Sequence, residues 1–259
     1  MVPIHIGKAL LACLAFLVIL GCVDGFAAML GASEPAREQV QYLACAFLLV
    51  SFPWIAPWAL PKLARAPASP SLADHQSERI LTLFLPILPD QVPPPKIVIL
   101  DLPQFSAIIV GRPSKSTLFI SSALLQSTSD FDLQVILAHE LGHLVHQHQA
   151  QVSLFIAGLF LFKAFFPIPL PLTIAAFIAY LALLRDNERA ADRHAGETLG
   201  EARLQAMLRH LATLVQESTD EPARTGMARK LMTNLMTHPT FWERIKLSQD
   251  RQAAEGNMR

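Results

Sequence analysis

The sequence predicts an α+β membrane protein in which a small β-sheet accompanies about four membrane helices. Three observations support this fold class. Hydrophobic residues make up 52% of the 259 residues and charged residues only 16%, whereas soluble domains contain about 25% charged residues. Several uncharged runs approach the length of a membrane-spanning helix, which is about 20 residues. Three short β-branched segments, separated by Pro and Gly, lie together in the middle of the chain.

Charge and cysteine content exclude other classes of protein. The formal net charge is zero, so no electrostatic feature favours a nucleic-acid partner. The three cysteines, Cys13, Cys22 and Cys45, are scattered through apolar stretches and show no Cys-x-x-Cys spacing. We interpret them as apolar side chains, and not as a disulfide framework or a metal site.

Residues 1–61 are expected to form two N-terminal transmembrane helices. No charged residue occurs in 9–23, and this run reaches spanning length if Lys8 extends its ammonium group to the interface. A cleaved signal peptide is the alternative, but the apolar continuation after residue 24 favours a retained helix.

The second uncharged run covers residues 39–61. Trp54 and Trp58 fit an aromatic belt at the headgroups. Pro53 and Pro57 are expected to end or kink the helix there.

The basic residues that flank these two runs predict their orientation. Lys8 precedes the first run, and Lys62 and Arg65 follow the second, whereas the loop between them has a single basic residue. The positive-inside rule therefore places the N-terminus and everything after residue 61 in the cytoplasm. We expect a multi-pass protein of the inner (cytoplasmic) membrane, with the segment after residue 61 facing the cytoplasm.

A linker with one short amphipathic helix, near residues 77–85, is expected in 62–95, which is rich in Pro, Ala and Ser. The β-branched segments that follow, at 96–100, 105–110 and 117–121, predict a small sheet. Residues 111–114 would form a hairpin turn between the last two of these strands.

A His-Glu-x-x-His motif at His139, Glu140 and His143 follows this sheet. Ser129 and Asp132 form a capping-box start, and apolar residues recur with the helical period. On a helix, positions i and i+4 share a face, so both imidazoles can bind one metal ion. Two His and a carboxylate fit an open Zn²⁺ site, with Glu140 placed to accept a proton from water. The sheet and this helix would occupy 96–151.

An apolar membrane hairpin is expected at 152–184, where Lys163 is the only charged residue and three prolines divide the run into halves.

The remaining segment, 185–259, opens with Glu188 and Asp192 four residues apart on one helical face. A third metal ligand is needed, and a metzincin-like His is excluded because Gln149 occupies its position. Asp186 and Glu197 remain as other candidate carboxylates.

The chain resembles the HtpX-type membrane zinc metallopeptidases, whose superfamily also contains the CAAX prenyl proteases. In that family the zinc helix is followed by an apolar hairpin and then by Glu-x-x-Ala-Asp, which Glu188, Ala191 and Asp192 match. A later His-Pro-x-x-x-x-Arg-Ile motif is matched from His238 to Ile245. The family's strand before the zinc helix carries a Pro-Asn-Ala-Phe-like motif, and here Gln104 stands in place of the Asn.

The resemblance implies a zincin-like catalytic domain that binds one Zn²⁺ per chain through His139, His143 and Glu188. It also implies that Glu140 is the general base, that Asp192 supports a ligand, and that His238 steadies the oxyanion. A helix-entry role for His238 before Pro239 is the alternative. The implied substrates are polypeptides, which would pair with a strand at Phe105, Ser106 and Ala107 in a protein embedded in a lipid bilayer.

The implied activity is a membrane-integrated endopeptidase that acts on membrane or misfolded proteins. A sensor-type protease that cleaves a single partner would share every motif. A non-catalytic zinc-holding scaffold would need no general base, so Glu140 argues against it.

Overall fold

The computed structural model describes residues 23–24, 27–63, 70–102, 105–218 and 241–257. The chain divides into two compact units. The first contains the chain up to Phe52 and residues 150–177, and the second contains residues 53–149 and 178–259. The first expected membrane helix, near 9–23, lies almost wholly outside the described residues.

Three long helices belong wholly or partly to the first unit. Of the two outcomes expected at Pro53 and Pro57, an end of the helix is wrong, because the first of these helices continues through both prolines to Leu63; a kink there stays a prediction. The prolines at 167 and 169 lie between the other two helices, so the apolar run is divided as expected. The helices are α1 (Glu34–Leu63), α5 (His148–Phe165) and α6 (Leu170–Leu199).

Two basic residues of the first unit, Arg37 and Lys163, each contact a partner side chain. Arg37 donates from Nε to Asp24 Oδ1 at 2.9 Å. Lys163, the one charge in the apolar run, lies 4.8 Å from the ring centroid of Tyr42, and Tyr42 is 6.2 Å from Phe160. Tyr42 therefore joins α1 to α5 and provides a cation–π partner for the lysine.

Helix α6 is long and apolar enough to cross a membrane, and it alone meets that test within the described part of the chain. Only 11% of its apolar window is buried, unlike the core helix of a soluble protein. The number of membrane helices, about four, stays a prediction.

A three-stranded sheet lies in the second unit, after helix α2 and a short 3-10 turn at Leu85–Ile87. Helix α2 begins earlier than the expected short helix, at Pro70. The strand order is β1-β3-β2, with β1 parallel and β2 antiparallel to β3. The hairpin turn is tighter than expected because the strands continue to Arg112 and resume at Lys115. The bounds are α2 (Pro70–Phe84), β1 (Lys96–Leu100), β2 (Ala107–Arg112) and β3 (Lys115–Ser121).

The central strand, β3, places side chains on both faces of the sheet. Leu118 and Ile120 point into the main core and are fully buried. Phe119 points to the opposite face, where it packs with Val110. This alternation is the strand period of two, and burial on both faces explains the apolar run.

The remaining helices contribute side chains to the same main core as the sheet. The motif helix, α4, begins at the N-cap Ser129, whose Oγ accepts from Asp132 N–H at 3.2 Å and donates to its carboxylate at 2.7 Å. The expected capping-box start is thus confirmed. Glu201 binds Arg251 at 2.7 Å and so joins the last two helices. The helices are α3 (Ser122–Ser127), α4 (Asp130–Val145), α7 (Glu201–Ser218) and α8 (Phe241–Asn257).

Candidate metal centre

Helix α4 brings the two motif histidines onto one face. His139 and His143 are one helical turn apart, and their Nε2 atoms lie 3.2 Å from each other. Almost every residue of α4 from Leu133 onward is buried. The two imidazoles are therefore fixed by the core of the second unit.

Glycine at position 142 allows α6 to pack directly against α4. A Cβ atom on Gly142 would lie 2.9 Å from Ala191 Cα and 3.0 Å from His194 Cβ, closer than real Cβ atoms normally approach. Ala191 is itself small and fully buried. This close crossing brings Glu188 to the histidines, one helical turn before Ala191.

Glu188 completes a cluster of three possible metal ligands. Its Oε2 lies 3.6 Å from His139 Nε2, and its Oε1 lies 3.4 Å from His143 Nε2. These three side chains form the group that could hold a metal ion within the described ranges. The two competing carboxylates, Asp186 and Glu197, are exposed.

The donor set fits zinc in both chemistry and spacing. Ligand distances of about 2.0–2.1 Å in a tetrahedral site separate neighbouring donor atoms by roughly 3.3–3.4 Å. The observed separations between Nε2 atoms and the carboxylate oxygens, from 3.2 to 3.6 Å, bracket that value. Three protein ligands leave one tetrahedral position open, as in catalytic zinc sites.

Asp192 fixes the orientation of His139. Its Oδ1 lies 3.0 Å from His139 Nδ1, so a proton on Nδ1 leaves the Nε2 lone pair facing Glu188. Burial alone would raise the pKa of Asp192, but hydrogen bonds from His139 and Arg244 outweigh it and hold this pKa well below its usual range. Asp192 therefore stays ionised.

Arg244 is a site residue to which the sequence assigned no role. Its guanidinium binds Asp192 through two hydrogen bonds of 2.8 and 2.5 Å, the bidentate geometry that arginine favours. Arg244 was visible in the sequence only as part of the Arg-Ile motif. Helix α8 carries it into the site, and the partner across 52 residues of chain could not be read from spacing.

Glu140 lies beside the ligand cluster and makes a main-chain contact with the sheet. Its Oε2 accepts from the N–H of Ile109 in β2 at 2.9 Å. Burial raises the pKa of Glu140, while the two motif histidines and the Ile109 N–H partly oppose that rise. The carboxylate is therefore oriented by β2 and shifted toward the pKa range of a general base.

Other residues singled out in the sequence lie in varied positions. Ala107 begins β2, whereas Phe105 and Ser106 precede it; Phe105 packs on the main core, and Ser106 N–H donates to Ser121 Oγ at 3.0 Å. His238 and Gln104 lie outside the described residues.

Three more histidines, His146, His148 and His194, lie close to His143 at the edge of the site. His146 is exposed, but His148 is buried. Burial and the neighbouring His143 and His146 lower the pKa of His148 to about 4. Burial likewise lowers the pKa of His194. His148 and His194 are therefore neutral at physiological pH.

Comparison with known proteins agrees with this geometry. The model of Peptidase family M48 matches residues 87–251, more than half of the chain. The chain is 26% identical over 197 residues to a "Protease HtpX homolog" of Tropheryma whipplei strain Twist, covering 60% of this chain and 66% of that protein. The homolog from strain TW08/27 gives the same identity and coverage.

A solved structure shows the same fold. The crystal structure of S. mikatae Ste24p matches with a TM-score of 0.58 at 15% identity, covering 93% of this chain and 64% of that chain. This chain thus spans somewhat less than two thirds of the length of each relative. The family match extends from the 3-10 turn before the sheet to helix α8, and so includes every residue of the metal centre. The chain belongs to peptidase family M48.

Proposed function

We propose that the chain is a membrane-integrated, zinc-dependent endopeptidase that hydrolyses peptide bonds of membrane or misfolded proteins. The observation that carries this proposal is the buried Glu140 carboxylate next to His139, His143 and Glu188. Three donors at tetrahedral spacing leave an open position, and the Glu140 carboxylate, held by the N–H of Ile109, lies next to the cluster. This combination fits a hydrolytic site better than a structural metal site.

In this proposal His139, His143 and Glu188 would hold the zinc ion. Zinc, when bound at such a site, acts as a Lewis acid and makes water a nucleophile near neutral pH. Glu140 accepts a proton from the attacking water and returns it to the leaving amine. Asp192, neutralised by Arg244, keeps His139 in the tautomer that presents Nε2. His238 remains a proposed oxyanion contact.

The substrate would lie along β2, which is the edge strand of the sheet. An extended peptide can pair with the main chain of an edge strand and gain affinity that depends little on sequence. The N–H groups of Ile109 and Gly111 are not free to donate to a peptide, because they already donate to Glu140 Oε2 and Gln149 Oε1, each at 2.9 Å. Pairing is therefore expected at Phe105 and Ala107, on either side of Ser106, whose own N–H donates to Ser121 Oγ at 3.0 Å.

The apolar helices support a location in the lipid bilayer. Large apolar side chains are exposed along α5 and α6, and their exposure would be costly in water. Residues 1–61 and 152–184 would together supply the membrane helices, and 96–151 and 185–259 the catalytic domain. The exposed side chains include Leu154, Leu161, Phe165, Leu170, Ile174 and Ile178.

Glu140→Gln tests the catalytic proposal. The amide keeps the size of the side chain but cannot accept a proton, so the variant should bind one zinc per chain and lose proteolysis of casein in detergent. A loss of about 100-fold or more is expected for removal of a general base. Zinc content and casein cleavage are measured on the same preparation.

Glu78→Gln is the matched control, because Glu78 is an exposed carboxylate on α2 and its substitution should change neither quantity. Full proteolysis by Glu140→Gln would contradict the assigned base. Loss of zinc in that variant would instead make Glu140 a ligand.

A further inference from the structure

We propose that His148 is a positioning residue that fixes the tautomer of His143 and thereby strengthens zinc binding. The inference rests on the proposed zinc site. It adds a residue outside the His-Glu-x-x-His and Glu-x-x-Ala-Asp motifs to that site. The contact that carries it joins His143 Nδ1 to His148 Nδ1 at 2.8 Å.

The ring of His143 has only one orientation toward the ligand cluster. Its Nε2 lies 3.2 Å from His139 Nε2 and 3.4 Å from Glu188 Oε1, so Nε2 is the atom that faces a bound ion. A neutral imidazole binds metal through a lone pair and carries its proton on the other nitrogen. His143 must therefore hold its proton on Nδ1 and needs a hydrogen-bond acceptor there.

His148 supplies that acceptor. A hydrogen bond between two nitrogens needs one donor and one lone pair, so a proton on His143 Nδ1 requires a bare Nδ1 on His148. The proton of His148 then lies on its Nε2. The two rings meet nearly at right angles, with centroids 5.0 Å apart. His148 is only 5% exposed, which limits competition from water.

The chain turns sharply to place His148 there. Helix α4 ends at Val145, and α5 begins at His148 itself. Between them Gln147 has φ 54°, in the left-handed region that non-glycine residues rarely occupy. Such backbone strain persists where surrounding contacts fix the conformation. The contacts here are those of His148 with His143 and of Gln149 with Gly111.

The two histidine ligands would thus be supported by different chemistry. His139 donates to a carboxylate, Asp192, whereas His143 donates to a neutral imidazole. The carboxylates of Glu140, Glu188 and Asp192 carry three negative charges. The Arg244 guanidinium and a divalent zinc ion would carry three positive charges, so the total would be zero. A second carboxylate behind His143 would leave this buried site with a net negative charge, which is costly to bury. A neutral acceptor avoids that cost while still fixing the tautomer.

Zinc affinity provides the test, measured by competition with a chromophoric chelator on the full chain in detergent. His148→Ala removes the acceptor and should weaken zinc binding about 10–100-fold, the usual loss for an outer-shell partner. His148→Asn places an amide oxygen near the position of Nδ1 and should recover most of the affinity. His75→Ala is the matched control, since His75 is exposed on α2.

Equal zinc affinity in wild type and His148→Ala would overturn the proposal, and so would an Asn variant as weak as the Ala variant. Histidine-selective ¹⁵N NMR of the zinc-loaded wild type gives a readout that does not depend on whether a variant folds. It should show His143 protonated at Nδ1, and protonation at Nε2 would overturn the inference. A wild type that binds no zinc would overturn the metal site itself, whereas the affinity comparison concerns His148 alone.

Discussion

Glu188 is the residue on which the two halves of the candidate metal centre depend. It lies on α6, whereas both histidines lie on α4, and the apolar run separates Glu188 from the two histidines in sequence. Its two oxygens divide between the two imidazoles, at 3.6 and 3.4 Å. A single carboxylate therefore connects the segment before the apolar run to the segment after it.

Glu188→Ala is expected to leave only two imidazoles as ligands. Loss of a residue that merely supports a ligand weakens metal binding by roughly 10–100-fold, and loss of Glu188 should weaken zinc binding by more than that. Glu188→Gln should also bind poorly, because zinc prefers an ionised carboxylate. Zinc stoichiometry after dialysis against a weak chelator measures the effect. Glu197→Ala, at an exposed carboxylate on the same helix, serves as the control. Full zinc in Glu188→Ala would contradict the assignment of the third ligand.

The sequence could predict these residues to different degrees. His139, Glu140 and His143 follow from a local motif, because one helix sets their geometry. Glu188 required the family resemblance, since nothing local distinguishes it from Asp186 or Glu197. Burial in the structure makes that distinction.

Three supporting contacts could not be predicted from local spacing. Arg244 reaches Asp192, His148 reaches His143, and Gln149 reaches Gly111 only after the chain has folded. Each contact depends on how separate elements pack or how the chain turns between them.

At the scale of elements, the crossing of α4 over α6 determines where the ligands meet. Gly142 and Ala191 are the two small residues at the crossing, and both are buried. Side chains of larger volume would separate the helix axes. The distance between Glu188 and the histidines is therefore controlled by a contact that includes no ligand.

Gly142→Ala is expected to destabilise the protein by about 1–3 kcal/mol, the usual cost of overpacking. It should also weaken zinc binding, because its Cβ would displace the α6 backbone from 2.9 Å. Thermal unfolding and zinc affinity are both measured. Gly158→Ala is the control, since a Cβ there meets nothing within 4 Å and alanine favours a helix. An unchanged zinc affinity in Gly142→Ala would show that the crossing does not position Glu188.

The elements themselves were predicted best where the local signal was strong. The three strands and the capped start of α4 follow from β-branched segments and from Ser129. The prolines at 53 and 57 were predicted to end or kink α1, and the first of these alternatives is wrong, because α1 continues to Leu63. Proline removes one donor and disfavours the preceding turn, but contacts elsewhere along a long helix can stabilise its continuation through the proline.

At the scale of the whole molecule, the apolar surface of α5 and α6 distinguishes this chain from a soluble peptidase. The composition predicted that surface, because hydrophobic residues make up 52% of the chain and charged residues only 16%, against about 25% charged residues in soluble domains. The sidedness that we predict for the molecule rests on a few basic residues that flank the apolar runs.

A reporter fused after Arg65 is expected to behave as cytoplasmic, and one inserted near Glu34 as external. The basis is the position of Lys8, Lys62 and Arg65 outside the first two apolar runs. Paired alkaline phosphatase and fluorescent-protein fusions at each site measure the orientation. Inverted signals would place the catalytic part, and its substrates, on the other side of the membrane.

The edge strand β2 has a consequence for solubility as well as for substrate binding. Exposed strand edges are templates for pairing between chains and so promote aggregation. Here two alternate N–H groups of that edge, those of Ile109 and Gly111, are occupied by the side chains of Glu140 and Gln149. A second copy approaching this edge finds two of its donors already bonded. The carboxylate that we propose as the general base thus also blocks one of the donors through which this edge could pair with a second copy of the chain.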